Sequence, residues 1–213
     1  MDLAVVSTFA QDAQDLTCPL VHVAGTNGKG SAVWSIARRA PSPCGCFTSP
    51  FIEAVTDCVT VDGEAIPVED CVAIAKAVED EEKAKDVRLT AFERLTVVAL
   101  RYFKQRDVAI AIVECGMGGR LDSTNIVRPT ACVITSVGLD HMAVLGNTVE
   151  AIAREKGGIF KAGAHVVLGP ETPELLDDMA MTAGAKSLER LAPIEGEVYI
   201  ALAQRIAETV IGK

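Results

Sequence analysis

The segment Val21-His22-Val23-Ala24-Gly25-Thr26-Asn27-Gly28-Lys29-Gly30-Ser31 constrains this chain more than any other stretch. An apolar run stops at a glycine-rich turn, and a helix-compatible stretch follows. Strand, tight turn and helix in that order are the parts of a phosphate cradle. Glycines let backbone N–H groups face a polyphosphate, and the helix presents the positive end of its dipole. Lys29 is placed to neutralise the β- and γ-phosphates, and the Ser31 hydroxyl to sit close to Mg2+. The spacing departs from the plain Walker form, because Gly30 separates Lys29 from Ser31. The bland alternative is a strand-to-helix turn with a solvated lysine. The strand pattern before it and the helix pattern after it argue against that alternative and point to ATP chemistry.

The chain has 213 residues, 49% of them hydrophobic and only 4% aromatic. That is room for one large domain, with or without an appendage. Its core has to come from Val, Ala, Leu and Ile, as in sheets covered by helices on both faces. A net charge of -9 lacks the basic footprint of nucleic-acid or anionic-membrane binding. No N-terminal basic-apolar signal is visible, and no apolar run reaches membrane-spanning length. Seven cysteines, at 18, 44, 46, 58, 71, 115 and 132, form no regular framework. Reduced thiols and a cytoplasmic location are expected. Cys44-Gly45-Cys46 has no second Cys/His pair at matching spacing, so it reads as strand core rather than a metal site.

Apolar runs alternate with helical patterns. Strands are expected at Pro19–Ala24, Cys44–Thr48, Cys58–Val61, Val108–Val113, Ala131–Thr135 and Val166–Leu168. Helices are expected at Ser31–Arg39, Val68–Val78, Thr90–Gln105 and Val149–Lys156, with Thr90 as N-cap and Glu93 three residues on. The Val68–Val78 helix is expected to continue into the charged Glu79–Asp86 stretch, which reads as a solvated helix end and loop. Beyond Pro170 the pattern weakens to two possible helices, Pro173–Ala183 and Ala201–Ile211. The alternation predicts an α/β fold, a doubly wound and mostly parallel sheet with a P-loop. Ligands of such sheets gather beyond the carboxyl ends of the strands.

Several residues fall at those ends. Glu114 closes one strand just before Cys115-Gly116-Met117-Gly118-Gly119-Arg120-Leu121-Asp122, where a carboxylate is able to hold Mg2+. A capping or salt-bridged glutamate is its structural alternative, and the adjacent glycines favour the ligand. Asp140-His141 closes another, which favours a metal or phosphate contact for His141 over a plain surface role. His22 and His165 lack such a setting and read as structural. Lys156 reads from spacing alone as a solvated lysine at a helix end. Asp122 and Asn125 read as turn formers or site residues, and spacing does not decide.

These segments resemble a family. Gly25–Ser31, Thr48-Ser49-Pro50, Thr90-Ala91-Phe92-Glu93, Glu114–Asn125, Gly138-Leu139-Asp140-His141 and Glu155–Lys161 occur in the order found in folylpolyglutamate synthase and dihydrofolate synthase, of the Mur ligase superfamily. The resemblance runs from about residue 19 to 170. It implies the fold of the Mur ligase central ATPase domain and a ligase that uses ATP and Mg2+. A folate or dihydropteroate carboxylate is phosphorylated to an acyl phosphate, and the amine of L-glutamate displaces the phosphate. It further implies that Gly25, Thr26, Asn27, Gly28, Lys29, Gly30 and Ser31 hold the triphosphate. Ser49 and Glu114 are implied to hold one metal, and His141 to help hold a second. Lys156 matches a lysine that is carbamylated in the family and there supports the second metal.

The chain departs from the family pattern at Phe51, where histidine is usual, and at Asp57-Cys58, where Glu-Arg is usual. The expected organisation is an ATP-binding domain over 1–170 and a short divergent tail over 171–213. The family's carboxy-terminal ligase domain, with its Asp-Gly-Ala-His-Asn-type motif, is expected to be absent, so a partner in trans is expected if the chain is to act. The rival readings are a non-catalytic nucleotide-binding remnant, a split-enzyme subunit, and another Mur-type amide ligase.

Overall fold

The computed structural model describes residues 2–11, 16–192 and 198–211. Helix α1 (Leu3–Phe9) precedes strand β1 (Leu20–Ala24) and helix α2 (Lys29–Ala37). Strand β2 (Cys44–Phe47) leads to the hairpin β3 (Val59–Val61) and β4 (Glu64–Ala65). Helices α3 (Val68–Lys85) and α4 (Ala91–Gln105) follow, then β5 (Ile110–Glu114) and β6 (Ala131–Ser136). The chain continues through α5 (Met142–Leu145), α6 (Val149–Gly157), β7 (His165–Glu171), α7 (Leu175–Thr182), β8 (Ser187–Arg190) and α8 (Val198–Ile206). The strands form one sheet in the order β4-β3-β2-β5-β1-β6-β7-β8. Pairing is parallel from β2 through β8, and β3 and β4 run antiparallel at one edge. The doubly wound, mostly parallel α/β sheet expected from the alternation is the fold.

The low aromatic content has the structural consequence expected of it. Strands β1, β5 and β6 are buried along their whole length, so both faces carry aliphatic side chains. On one face Val21, Val23, Ile110, Ile112 and Val133 pack with Val33 and Ile36 of α2 and Leu202 and Ile206 of α8. On the other, Ala111 and Val113 pack with Leu100 and Phe103 of α4, while Cys132 and Ile134 pack with Leu176 and Ala180 of α7. Cys44 and Cys46 are buried strand residues, and all seven thiols are free. Gly45 is required between them, because a Cβ there would stand 2.7 Å from the Phe103 ring.

Helix α4 starts as its sequence dictates. Thr90 Oγ1 accepts from Glu93 N at 3.3 Å, and Glu93 Oε2 accepts from Thr90 N at 2.7 Å. The helix continues into the charged stretch after Val78 as expected, with α3 unbroken to Lys85, but that stretch is not wholly solvated. Glu82 turns inward, pairs with Arg94 at 2.8 Å and accepts from Leu89 N. Lys83 pairs with Glu79 at 3.1 Å on the exposed side. A charged run therefore carries a helix here because one of its members is a buried link to α4.

The sheet does not stop at residue 170. Strand β7 runs to Glu171, β8 pairs with it in parallel, and α8 packs against α2. Strand β8 carries one apolar residue, Leu188, so its sequence offers no alternating signal. It is held through Arg190, which donates to Thr172 O at 2.6 Å and pairs with Asp177 at 3.0 Å. Among the described residues no helix is long and apolar enough to cross a membrane.

Candidate functional site

The carboxyl ends of β1, β2, β5 and β6 meet at one edge of the molecule, and the glycine-rich loop lies across them. Its conformation is fixed by β6. Thr26 N donates to Ser136 O at 2.9 Å, and Asn27 N to Ser136 Oγ at 3.1 Å. Thr135 Oγ1 donates to Asn27 O at 2.6 Å, and Gly138 N to Thr26 Oγ1 at 3.0 Å. Gly25 has to be glycine, because a Cβ there would stand 1.9 Å from Thr135 Oγ1. Gly28 enters α2 with φ 78 and ψ 10, a left-handed N-cap that favours glycine. No side chain caps this end of α2. Its first N–H groups, those of Lys29, Gly30 and Ser31, face outward for an anion, with the helix dipole behind them.

Lys29 is anchored only lightly, by a bond from Nζ to Thr26 O at 3.4 Å. Glu114 ends β5 beside it and is 3% exposed. Burial pushes the Glu114 carboxyl up to about 7, opposed by the Lys29 charge and by the Ser49 N–H, which donates to Oε2 at 3.4 Å. A buried carboxylate with one long hydrogen bond is short of partners, and hard cations with oxygen ligands answer that need. Gly30 leaves the approach open, since a Cβ there would still be 3.7 Å from Glu114 Oε2. Ser49 and Glu114 are thus brought together beneath the uncapped helix end.

Lys156 is not the solvated helix-end lysine that spacing favours. It is 3% exposed, and Nζ donates to Gly25 O at 2.8 Å, tying α6 to the loop. Burial, with the Lys29 charge behind it, brings the Lys156 ammonium down to about 8. His141 has the opposite character. It is exposed, sits at φ 46, and its Nε2 lies 3.6 Å from Asp140 Oδ2. Among the described residues no three His, Cys, Asp or Glu side chains gather into one ligand set. His22 is fully buried and structural, its pKa brought down to about 3 by burial, with Nε2 2.9 Å from Thr124 Oγ1.

A cleft of about 890 Å3 opens beside these groups. Phe51, Phe92, Leu95, Met117, Leu121 and Val144 contribute to its apolar lining, and Lys29, Ser49, Arg120, Asp122, His141 and Glu155 are its polar points. One wall is the loop after β5, and Asp122 sets its shape. Its carboxylate accepts from Met117 N at 2.9 Å and from Thr124 N at 3.0 Å, and burial raises its pKa. Asn125 ties the same loop to Arg120 O at 2.9 Å and Gly158 O at 3.1 Å. Both residues form turns, as one reading of their sequence had it, and both shape the cleft. Thr135 and Ser136, which lock the phosphate loop, were not singled out by the sequence. Two hydroxyls closing a strand next to a glycine are the signal they offer.

The geometry has recognisable counterparts. The family model described as the Mur ligase middle domain matches residues 23–182. The dihydrofolate synthase/folylpolyglutamate synthase of Bacillus subtilis (strain 168) is 44% identical over 163 residues, which is 73% of this chain and 38% of that protein. The folylpolyglutamate synthase of Lacticaseibacillus casei is 40% identical over 174 residues, 78% of this chain and 40% of that one. A crystal structure of a bifunctional folylpolyglutamate synthase/dihydrofolate synthase with Mn, AMPPNP and L-glutamate bound is similar with a TM-score of 0.89 at 29% identity, over 99% of this chain and 58% of that one. The chain spans about two fifths of the length of these two curated relatives.

Proposed function

The chain belongs to the Mur ligase middle-domain family, in its folylpolyglutamate synthase/dihydrofolate synthase branch, and on that premise we propose that it is the phosphate-handling part of an ATP-dependent ligase joining L-glutamate to a folate or dihydropteroate carboxylate. The observation that carries this reading is the uncapped N-terminus of α2 above a loop locked to β6, with Ser49 and Glu114 at its mouth. Loop amides from Gly25 to Ser31 and the Lys29 ammonium hold the triphosphate. Ser49 and Glu114 hold Mg2+, which neutralises charge on the transferring phosphoryl group. The large apolar cleft takes the aromatic body of the folate-type substrate and presents its carboxylate toward Lys29.

Lys156 stands close to the pH at which its amine is neutral. At pH 7 about a tenth of it is unprotonated, as a pKa of about 8 requires. The neutral amine adds carbon dioxide, losing one proton, to give a carbamate. That converts a cation into an anion and, with His141 at the rim, supplies oxygen and nitrogen donors for a second metal. The relative solved with Mn, AMPPNP and L-glutamate bound supports a nucleotide and a divalent cation as ligands of this chain.

Thermal melting of the chain with and without Mg-ATP tests the phosphate site. A rise in Tm that disappears in Lys29→Ala is expected, and an equal rise in both proteins sinks it. Ligase turnover is read as folate- and glutamate-dependent ADP release, by the chain alone and with the carboxy-terminal domain of a relative added. Release under neither condition, with the Tm rise intact, leaves nucleotide binding and removes the ligase.

A further inference from the structure

Arg120 and Glu155 meet on the wall of the large cleft, where the loop after β5 lies against α6. The backbone of Arg120 is locked there. Arg120 N donates to Glu155 O at 2.7 Å, and Arg120 O accepts from Asn125 Nδ2 at 2.9 Å. Gly158 lies against the base of the side chain, since a Cβ there would stand 2.4 Å from Arg120 Cβ. The guanidinium is held differently. It is exposed, and Nε and Nη2 both donate to one oxygen, Glu155 Oε1, at 3.1 and 2.8 Å. Arg120 Nη1 and Glu155 Oε2 stand outside the pair. The loop is joined to α6 through backbone bonds without it, and an exposed ion pair adds little to stability. A fixed base with an exchangeable head suits a residue that binds a ligand better than one that braces a loop.

The other charges of the cleft are already engaged. Asp122 Oδ1 accepts from Thr124 N and Oγ1, and Oδ2 accepts from Met117 N. On the ligase reading Lys29 goes to the triphosphate and His141 to a cation. Among the described residues of the lining, Arg120 is then the cationic head left for an anionic group of the organic substrate. A guanidinium takes a carboxylate by two parallel, charge-assisted N–H bonds. The two substrate types open to the ligase differ in this respect. A pteroate carries a single carboxylate, and that one goes to the phosphoryl group. A pteroate that already ends in glutamate carries two. We propose that Arg120 is a specificity-determining residue that leaves Glu155 to bind the second carboxylate, so that the cleft selects pteroylglutamates over pteroates. The proposal rests on the ligase reading and names the substrate class within it.

Calorimetric titration of the full chain with pteroate and with pteroylglutamate, which differ by one glutamate, tests it. The wild type is expected to bind pteroylglutamate about tenfold more tightly than pteroate, the worth of one charge-assisted contact. Arg120→Met is expected to lose that preference by weakening pteroylglutamate alone, and Arg120→Lys to keep part of it. Glu155→Gln is expected to tighten pteroylglutamate several-fold, because it removes the competing carboxylate. A bracing role gives another pattern, in which Arg120→Met and Glu155→Gln shift the affinity in the same direction for both ligands. Far-UV circular dichroism checks that each variant is folded, and Glu155→Gln keeps the test decisive if Arg120→Met is not. Equal affinity of the wild type for the two ligands, a preference that survives in Arg120→Met, or the bracing pattern overturns the proposal and leaves the ligase reading standing. Binding of neither ligand removes the substrate cleft of the ligase reading, and the proposal with it.

Discussion

Two strand-end segments border the same cleft and are held in opposite ways. The loop at Gly25–Ser31 is fixed from several sides, by Thr135 and Ser136 of β6 and by Lys156 of α6. The segment around His141 is exposed, and among the described residues the His141 side chain is tied only to its neighbour Asp140. The difference separates two tasks. A polyphosphate is bound by backbone N–H groups, which cannot adjust once the chain is folded, so their geometry has to be built beforehand. A rim histidine is able to swing toward a cation when one arrives, and gains nothing from being fixed early.

Breaking the fixed side is expected to have the largest effect. Gly25→Ala drives a methyl group into Thr135 and is expected to cost about 3 kcal/mol in urea denaturation and to abolish the Mg-ATP shift. Native stability within about 1 kcal/mol of wild type shows that the loop is not held as described.

Lys156→Met removes the bond to Gly25 and a buried cation together. The folded pKa of Lys156, about 8, lies below its ordinary 10.5, so the unfolded chain binds more protons between those values. Its cost to stability is full below pH 8 and fades as pH rises toward 10.5. The difference in stability between Lys156→Met and wild type is expected to shift in the mutant's favour as pH falls through that window. A pH-independent difference contradicts a strained ammonium.

Glu114 gives a second pH signature. Its folded pKa of about 7 lies above the ordinary 4.5, so the folded chain binds more protons between them. Stability is therefore lost as pH rises from 4.5 to about 7, and Glu114→Gln is expected to flatten that slope. Added Mg2+ is expected to stabilise the wild type at pH 8 and leave Glu114→Gln unmoved. Equal stabilisation of both removes the carboxylate as a metal ligand.

The smallest effect belongs to the exposed side. His141→Ala is expected to change stability by no more than about 0.5 kcal/mol, because the side chain is exposed. Weaker Mg-ATP binding in this variant, read by calorimetry, sharpens the contrast by giving His141 a role only when ligand is present. Unchanged binding removes it from the site.

Much of the frame is legible along the chain. The glycine-rich turn, the aliphatic strands around it, and the Thr90–Glu93 cap all depend on neighbours in sequence, so local chemistry states them. Less legible are the features that require two distant segments. Glu82 reads as one more exposed charge until Arg94 is brought beside it. Leu188 alone does not announce β8, which is an edge strand defined by its pairing with β7 and by Arg190. Thr60 reads as an ordinary β-branched strand residue until its hydroxyl is found buried beside the Cys46 thiol.

The two lysines divide what sequence determines from what only the tertiary structure decides. Lys29 is placed by its own loop. A strand end, the flexible glycines and a helix start are properties of consecutive residues and mark where it stands, and β6 then locks the conformation they announce. Lys156 has a helix-end sequence, and from that alone it belongs in water. Packing α6 against the phosphate loop buries it, gives it the Gly25 carbonyl as partner, and brings Lys29 close enough to oppose its charge. Desolvation and charge proximity are set by contacts across more than a hundred residues of chain, so no reading of local sequence contains them.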